Sequence, residues 1–351
     1  MSTDRIRAWI DLVSPSHPFF FAALLDGRSD LSVQATVRRK TETVDLARSV
    51  GLNAEIVGRD FDNALARKLG LGIRTAQLTL RAPLADISLS SRNAMCILAS
   101  KLHDIPSIHF TDNDITAYVD GLRAEELYNV LEAQATHNVV PAAFERSELL
   151  RWGTDPDRIH TYDGYKEDIY VATFEPDERF LQTLPFREYV VIRPEALDAA
   201  YVEADRSIVP DLLERFVDRD VNVVYLPRGR GDDTYADHYS SRNVYVPDAA
   251  LDGLQLAWFS DGVLTGSGTM AREAACMGRP AVSFFPHQLL SVDADMVKKG
   301  LIHHSRDPDS IVDYVRTWSE REDMSGLERS QSVYEEVERI LDDIIRTELG
   351  R

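Results

Sequence analysis

The sequence predicts an α/β protein built from two doubly wound domains, each with a parallel sheet covered by helices. Short apolar runs alternate with helical patterns along nearly all of the chain, as they do in βαβ units. The alternation is interrupted once, by a polar, aromatic and turn-rich stretch over residues 161–177, and then restarts. The chain of 351 residues is also longer than one simple core usually needs, which favours two domains.

The N-terminal half alternates from its first residues. Apolar runs predict strands over 6–13, 31–37, 53–58, 85–90, 106–112 and 137–144. Helical patterns predict helices over 41–51, 63–80, 92–104, 124–135 and 145–153. The helix over 63–80 is supported by Leu65, Leu69, Ile73 and Leu80, which recur near helical spacing.

The C-terminal half repeats the pattern. Strands are predicted over 188–195, 221–229, 242–248, 261–266 and 279–285, and helices over 207–220, 250–260, 269–278, 289–300, 308–320 and 332–349. We therefore expect an N-terminal domain over 1–165, a C-terminal domain over 166–330, and a terminal helix over 331–351. Ligands of such sheets bind at the carboxyl ends of the strands, which here predicts a cleft between the domains.

The composition excludes several classes of protein. The formal net charge is −19, and only 6 of the 39 basic residues are lysines. Such an acid-rich, lysine-poor surface suits high salt, so we expect a halophilic, cytoplasmic protein. The sequence shows no basic stripe for nucleic acid, no apolar run of transmembrane length and no signal-peptide pattern. Cys96 and Cys276 lie in apolar helical contexts, which predicts buried free thiols.

The stretch "TGSGTMAREAACMG" carries the clearest functional pattern. Gly266, Ser267, Gly268 and Thr269 lie where a predicted strand passes into a predicted helix. Helix N-termini offer unpaired N–H groups and the positive end of the helix dipole, so this turn predicts a phosphate site. Glu273, six residues after Ser267, is placed to accept from a ribose hydroxyl. The alternative is an ordinary tight turn with a capping hydroxyl and an exposed glutamate.

Other candidates follow predicted strands. Arg193 and Arg228 each end a strand of the C-terminal half, and paired guanidinium groups suit a diphosphate, although surface charge is the alternative. Lys166, a rare lysine in the connecting stretch, is a further candidate for binding the nucleotide sugar. In the N-terminal half, His17 precedes a proline typical of a first helical turn, and Asp112 follows a strand. Packing and turn formation are the alternatives for these two. No metal-ligand spacing is found.

These residues occur within stretches that resemble a known family of prokaryotic proteins, domain of unknown function 354. The stretches are "WIDLVSPSHPFFF", "IPSIHFTDND", "YDGYKEDIYVATFEPD", "YVVIRPE" and "GSGTMAREAACMGRPAVSFFP", which cover almost the whole chain in order. The family is similar to the glycosyltransferase-B (GT-B) superfamily, which includes UDP-N-acetylglucosamine 2-epimerases. The resemblance implies two Rossmann-like domains, a nucleotide site in the C-terminal domain, and a C-terminal helix that packs back across the junction.

By resemblance to the epimerases, this chain keeps the residues of the nucleotide site but lacks part of the acid–base set. Ser267, Gly268 and Glu273 match the epimerase spacing of a serine, a glycine and a ribose-binding glutamate. Glu125 and Glu126 correspond to a catalytic Glu-Glu pair but lack its preceding proline. Serines 90 and 91 stand where epimerases have a carboxylate, and "RPE" replaces a histidine.

Three alternative functions are therefore consistent with the sequence. The first is a glycosyltransferase that uses a nucleotide sugar, a UDP-sugar by resemblance, without a required cofactor or metal. His17 or Asp112 would be the base for a glycan, lipid or small-molecule acceptor. The second is a nucleotide-sugar epimerase or hydrolase that uses Asp112 with Glu125 or Glu126. The third is a non-catalytic sugar-nucleotide binding protein. The sequence leaves the oligomeric state open, with a homodimer as one alternative.

Overall fold

The computed structural model describes residues 5–39, 41–59, 64–195, 206–229, 231–318 and 325–350. The chain divides into two compact units. The first unit comprises Met1–Tyr170 and Val333–Arg351, and the second unit comprises Val171–Ser332.

The first unit holds a seven-stranded parallel sheet. Its strands are β1 (Ile6–Leu12), β2 (Leu31–Arg39), β3 (Ala54–Arg59), β4 (Ile87–Ser91), β5 (Ser107–Phe110), β6 (His137–Pro141) and β7 (Ile159–Tyr162). They are ordered β3-β2-β1-β4-β5-β6-β7. The helices are α1 (His17–Leu24), α2 (Thr41–Ser49), α3 (Ala64–Arg81), α4 (Ala94–Leu102), α5 (Arg123–Glu132), α6 (Ser147–Leu150) and α7 (Lys166–Val171). Every residue of β4, β5 and β6 is buried, as expected for parallel strands that are covered on both faces.

The second unit holds a six-stranded parallel sheet. Its strands are β8 (Val190–Arg193), β9 (Val223–Tyr225), β10 (Val244–Tyr245), β11 (Gly262–Thr265), β12 (Ala281–Ser283) and β13 (His303–His304), in the order β10-β9-β8-β11-β12-β13. The helices are α8 (Val209–Val217), α9 (Gly253–Trp258), α10 (Gly268–Cys276), α11 (Ser291–Lys298) and α12 (Pro308–Trp318). Apolar side chains of the strands pack against α8 and α12 in one core, which includes Ile192, Leu213, Phe216 and Ile311.

The chain ends in α13 (Ser325–Leu349), whose residues are divided between the two units. Near its start, Ser330 donates from Oγ to the carbonyl of Cys276 at 3.2 Å, within the second unit. Further along, Tyr334 donates from its hydroxyl to the carbonyl of Ala23 at 3.3 Å, within the first unit. The helix therefore belongs to both hydrogen-bonding networks.

The predicted α/β class with two doubly wound parallel sheets is confirmed. The prediction of buried free thiols at Cys96 and Cys276 is also confirmed. The strands β7 and β13 were not predicted from the sequence, and neither was α7, which lies inside the stretch that interrupts the predicted alternation. These elements are too short to show a clear period, and β7 has a half-polar sequence because it is an edge strand.

Candidate functional site

The strand order of each unit reverses beside its central strand. In the first unit the reversal lies between β1 and β4, and in the second unit it lies between β8 and β11. In doubly wound sheets the ligand site forms outside the carboxyl ends of the strands at this reversal. A predicted site residue that closely follows one of these four strands therefore lies near the expected ligand site.

In the second unit, the predicted turn lies at the reversal and opens directly into α10. Ser267 is the N-cap residue and has an extended backbone, but its side chain makes no capping hydrogen bond. Its Oγ lies 3.1 Å from Oγ1 of Thr265 instead, and its own N–H donates to that oxygen at 3.0 Å. The N–H groups in the first turn of α10 are thus left without a side-chain cap, which is the arrangement that binds a phosphate.

The two glycines of this turn have different structural roles. A Cβ at Gly266 would lie 2.6 Å from Cα and 2.7 Å from the backbone N of Glu195, so no larger residue fits there. At Gly268 a Cβ would lie 3.3 Å from the guanidinium carbon of Arg272 and 3.4 Å from Oδ1 of Asp293, which is tight but not prohibitive. Gly266 is therefore required by the close approach of the segment that follows β8.

Both predicted arginines lie at the same edge of the second sheet. Arg193 is the last residue of β8, and its carbonyl accepts from the N–H of Gly266 at 3.0 Å. Arg228 follows β9 and donates from Nε to the carbonyl of Pro194 at 2.9 Å. Glu273 lies on α10, where it is partly exposed between buried neighbours. The structure thus groups Arg193 and Arg228 with the turn, and it carries Glu273 on the helix that the turn opens.

In the first unit, His17 is buried at the start of α1, directly after β1. Its Nδ1 accepts from the N–H of Val13 at 3.3 Å. Burial lowers the pKa of His17 to about 3, with further lowering by Lys166 and His109. The ring is therefore neutral, and because Nδ1 is an acceptor, the proton lies on Nε2. His17 presents a hydrogen-bond donor at this edge, whereas a general base would have to present an acceptor.

Asp112 and Lys166 form a buried ion pair in the same unit. Nζ of Lys166 lies 3.0 Å from Oδ2 of Asp112, and both side chains are at most 14% exposed. Asp112 follows β5, and Lys166 begins α7 after β7. Lys166 was predicted to lie in the C-terminal domain, but β7 and α7 extend the first unit and place this lysine beside Asp112.

Arg92 is a site candidate that the sequence reading missed. It follows β4 at the reversal, with a left-handed backbone (φ 41°) that is uncommon for a residue with a side chain and often marks a functional position. Its guanidinium donates to Glu125 at 2.6 Å, to Glu132 at 2.7 Å and to Asn129 at 2.9 Å. Glu126, the predicted acid, is partly exposed on the same helix, α5. The position of Arg92 directly after a predicted strand was the feature of the sequence that could have identified it as a site residue.

The remaining histidines show no metal geometry. In the described ranges, no group of three or more His, Cys, Asp or Glu side chains could hold a metal ion. His303 stacks on Tyr314 with ring centroids 4.5 Å apart, and burial lowers its pKa and that of His304.

Across the same ranges, no helix combines the length and apolar character that spanning a membrane requires.

The comparison with known families assigns the chain to one of them. Residues 6–346 match the family described as "Protein of unknown function (DUF354)". The chain belongs to this family. An uncharacterised protein of Methanocaldococcus jannaschii is 24% identical over 323 residues, which cover 89% of this chain and 91% of that protein.

Solved structures similar to this DUF354 chain share its fold over nearly its full length. A UDP-N-acetylglucosamine 2-epimerase from Rickettsia bellii superposes with a TM-score of 0.70 at 13% identity, covering 99% of this chain and 100% of that one. The M. jannaschii UDP-GlcNAc 2-epimerase in complex with UDP-GlcNAc and UDP gives 0.69 at 12% identity, with 96% and 99% covered. The glycotransferase of kitacinnamycin gives 0.58 at 17% identity, with 97% and 98% covered. The DUF354 chain thus has the fold of GT-B nucleotide-sugar enzymes.

Proposed function

We propose that this protein is a glycosyltransferase that uses a nucleotide-sugar donor, a UDP-sugar by analogy with its structural neighbours. The observation that carries the proposal is the uncapped N-terminus of α10, which follows a tight turn at the strand-order reversal of the second unit. Arg193 ends β8 and Arg228 follows β9 at the same edge. An anionic diphosphate fits this combination of N–H groups, helix dipole and guanidinium charge.

The donor would be held by the second unit. The N–H groups of the first turn of α10 would bind the diphosphate, and Arg193 and Arg228 would neutralise its charge, which leaves no requirement for a metal. Glu273 would accept hydrogen bonds from the ribose hydroxyls. These contacts would stabilise the charge that develops on the departing diphosphate when its bond to the sugar breaks.

The acceptor would be activated by the first unit. The acceptor hydroxyl oxygen forms a bond to the anomeric carbon, the bond from that carbon to the β-phosphate oxygen breaks, and the nucleoside diphosphate leaves. Asp112 would take the proton of the hydroxyl, because it follows β5 at the carboxyl edge of the first sheet. His17, with its proton on Nε2, would donate a hydrogen bond that orients the acceptor. In this proposal His17 positions the acceptor and Asp112 is the base.

The structure also supports transfer over epimerisation. Epimerisation needs a carboxylate and a partner that exchange protons with the substrate, so at least two titratable groups must be available. Glu125, one of the carboxylates that epimerisation would need, is bound to Arg92. Serines 90 and 91 occupy the position of an epimerase carboxylate, and Oγ of Ser90 is bound to His109 at 3.0 Å.

A melting-temperature screen in high salt against UDP, GDP, CDP, TDP and their sugars tests the nucleotide site. A ligand at 100 times its Kd raises the stability by about 2.7 kcal/mol. We expect one nucleotide to raise the melting temperature and Glu273→Ala to abolish the shift. Glu214→Ala is the matched control, since Glu214 is an exposed helical glutamate of the same unit. If no nucleotide shifts the unsubstituted protein, the proposed function is wrong.

The second candidate is a UDP-GlcNAc 2-epimerase, favoured by the two epimerase structures described above. The two functions differ in their products. A transferase that is given its donor and an acceptor releases the nucleoside diphosphate, whereas an epimerase converts UDP-GlcNAc alone into its C2 epimer. Proton NMR of UDP-GlcNAc incubated with the protein distinguishes them, because a new anomeric signal without free UDP would establish the epimerase.

A further inference from the structure

Glu195 is a buried carboxylate for which the proposed reaction has no role. It lies two residues after β8, and its side chain is fully buried. Burying a charged carboxylate is unfavourable unless it is paired and hydrogen-bonded. The contacts of Glu195 therefore have to offset this cost.

The Glu195 carboxylate joins several segments at the carboxyl edge of the second sheet. It accepts from Oγ of Ser207 at 2.6 Å and from the N–H of Ile208 at 3.3 Å, at the start of α8. It also accepts from Nη1 of Arg306 at 3.0 Å. The same Nη1 donates to the carbonyl of Phe284 at 2.7 Å, directly after β12. Glu195 and Arg306 together thus tie the ends of β8, β12 and β13 to the start of α8.

The turn before α10 packs directly against the backbone and Cγ of Glu195, the residue that carries this carboxylate. Gly266 lies so close to Glu195 that a Cβ would fall 2.6 Å from the Cα of the glutamate, and its N–H is bound to the carbonyl of Arg193. Any shift of the Glu195 backbone or side chain would therefore move the turn. Because the turn sets the direction of the N–H groups of α10, its position determines the geometry of an anion bound there.

We propose that Glu195 is a positioning residue that acts through Gly266 to aim the N-terminus of α10 at the diphosphate of the nucleotide. This inference rests on the proposed function. It assigns the phosphate geometry of the site to the Glu195–Arg306 pair, which does not itself contact the ligand. Positions such as this one are sensitive, because a misplacement of about 1 Å can cost 100-fold in a binding or catalytic contact.

The variant Glu195→Gln distinguishes a positioning role from a simple charge effect, because the two predict opposite changes in the affinity for the diphosphate. Removal of a negative charge near a diphosphate would strengthen anion binding if charge alone mattered. Weakened ionic and hydrogen-bond contacts to Arg306 and Ser207 would instead let the turn move and weaken binding of the phosphates. Affinity for the nucleoside, which lacks phosphates, would stay the same under the positioning role.

The probes are the nucleoside diphosphate that binds in the melting-temperature screen and its nucleoside, titrated by calorimetry and NMR. We expect Glu195→Gln to lower the ratio of the nucleoside Kd to the diphosphate Kd by about tenfold. Arg306→Lys, which keeps the charge but loses the fork geometry, should lower it in the same direction. Asp309→Asn is the matched control, since it removes the carboxylate of an exposed arginine pair in the same unit, with Arg215.

The possible outcomes separate the two proposals. If the unsubstituted protein binds no nucleoside diphosphate, both the proposed function and this inference are wrong. If it binds one and the ratio is unchanged in folded Glu195→Gln, only the inference is wrong, and Glu195 serves stability alone. A tighter diphosphate complex would also overturn it, in favour of simple charge repulsion. If Glu195→Gln does not fold, the ratio measured for Arg306→Lys decides in the same way.

Discussion

At the scale of single residues, Gly266 gives the sharpest prediction. A methyl group there would fall 2.6 Å from the Cα of Glu195, and a backbone atom cannot move aside as a side chain can. We expect Gly266→Ala to lower the free energy of unfolding by about 1–3 kcal/mol, the usual cost of overpacking. Chemical denaturation followed by circular dichroism measures it.

Gly72→Ala is the control for this substitution. Gly72 lies in α3 with no atom within 4 Å of its Cβ position, so alanine should stabilise the helix by about 0.5–1 kcal/mol. Equal effects at the two glycines would contradict the close packing of Gly266 on Glu195.

Single residues also show which parts of the site a sequence can reveal. The positions of His17, Asp112, Arg193 and Arg228 at the carboxyl ends of strands follow from local pattern, because the strand and the residue after it are adjacent in the chain. Contacts of Glu195 depend on Arg306, 111 residues away, and no local pattern encodes such a pairing. The neutral state of His17 likewise required the fold, since it depends on burial.

At the scale of elements, the end of α13 is held by a small polar cluster in the first unit. Glu348 accepts from Nε2 of His137 at 2.9 Å and from Arg158, and its side chain is 17% exposed. We expect Glu348→Gln to lower the free energy of unfolding by about 1 kcal/mol, the typical value for a hydrogen bond to a charged partner that is partly buried. Thermal unfolding at pH 7 measures this loss.

Asp343→Asn is the control on the same helix. Asp343 pairs with Arg346 three residues later, and both side chains are at least 65% exposed. Exposed pairs of this kind contribute about 0.3–0.5 kcal/mol, so the control should change the stability less than Glu348→Gln does. The reverse order would show that the cluster around Glu348 does not anchor the helix.

Elements were predicted from the sequence where they were long or strongly periodic. The amphipathic pattern of α3 and the apolar runs of β1, β4 and β8 gave these elements to within a few residues. The strand β13 spans only His303–His304 and is defined by pairing with β12, so its hydrogen-bond partners rather than its own sequence make it a strand. The start of α13 at Ser325 rather than 332 was missed for a related reason, since its first turns are fixed by contacts with Cys276.

At the scale of the whole molecule, the charge predicts a dependence of stability on salt. A formal charge of −19 makes the folded chain repel itself more strongly than the unfolded chain, in which the charges lie further apart. Salt shortens the screening length from about 10 Å at 0.1 M to about 3 Å at 1 M. We expect the melting temperature to rise by at least roughly 2–4 °C over this range, equivalent to about 1 kcal/mol.

Sodium chloride and sodium sulfate at equal ionic strength separate screening from the general strengthening of apolar burial, which sulfate promotes. Equal rises in melting temperature in the two salts would assign the effect to screening of the acidic surface. A melting temperature that stays constant or falls in sodium chloride would contradict adaptation to high salt. The acidic composition would then need another explanation. Ion pairing alone would not supply it, because the described carboxylates with arginine or lysine partners, such as Asp112, Glu125 and Glu195, account for only part of the 58 acidic residues.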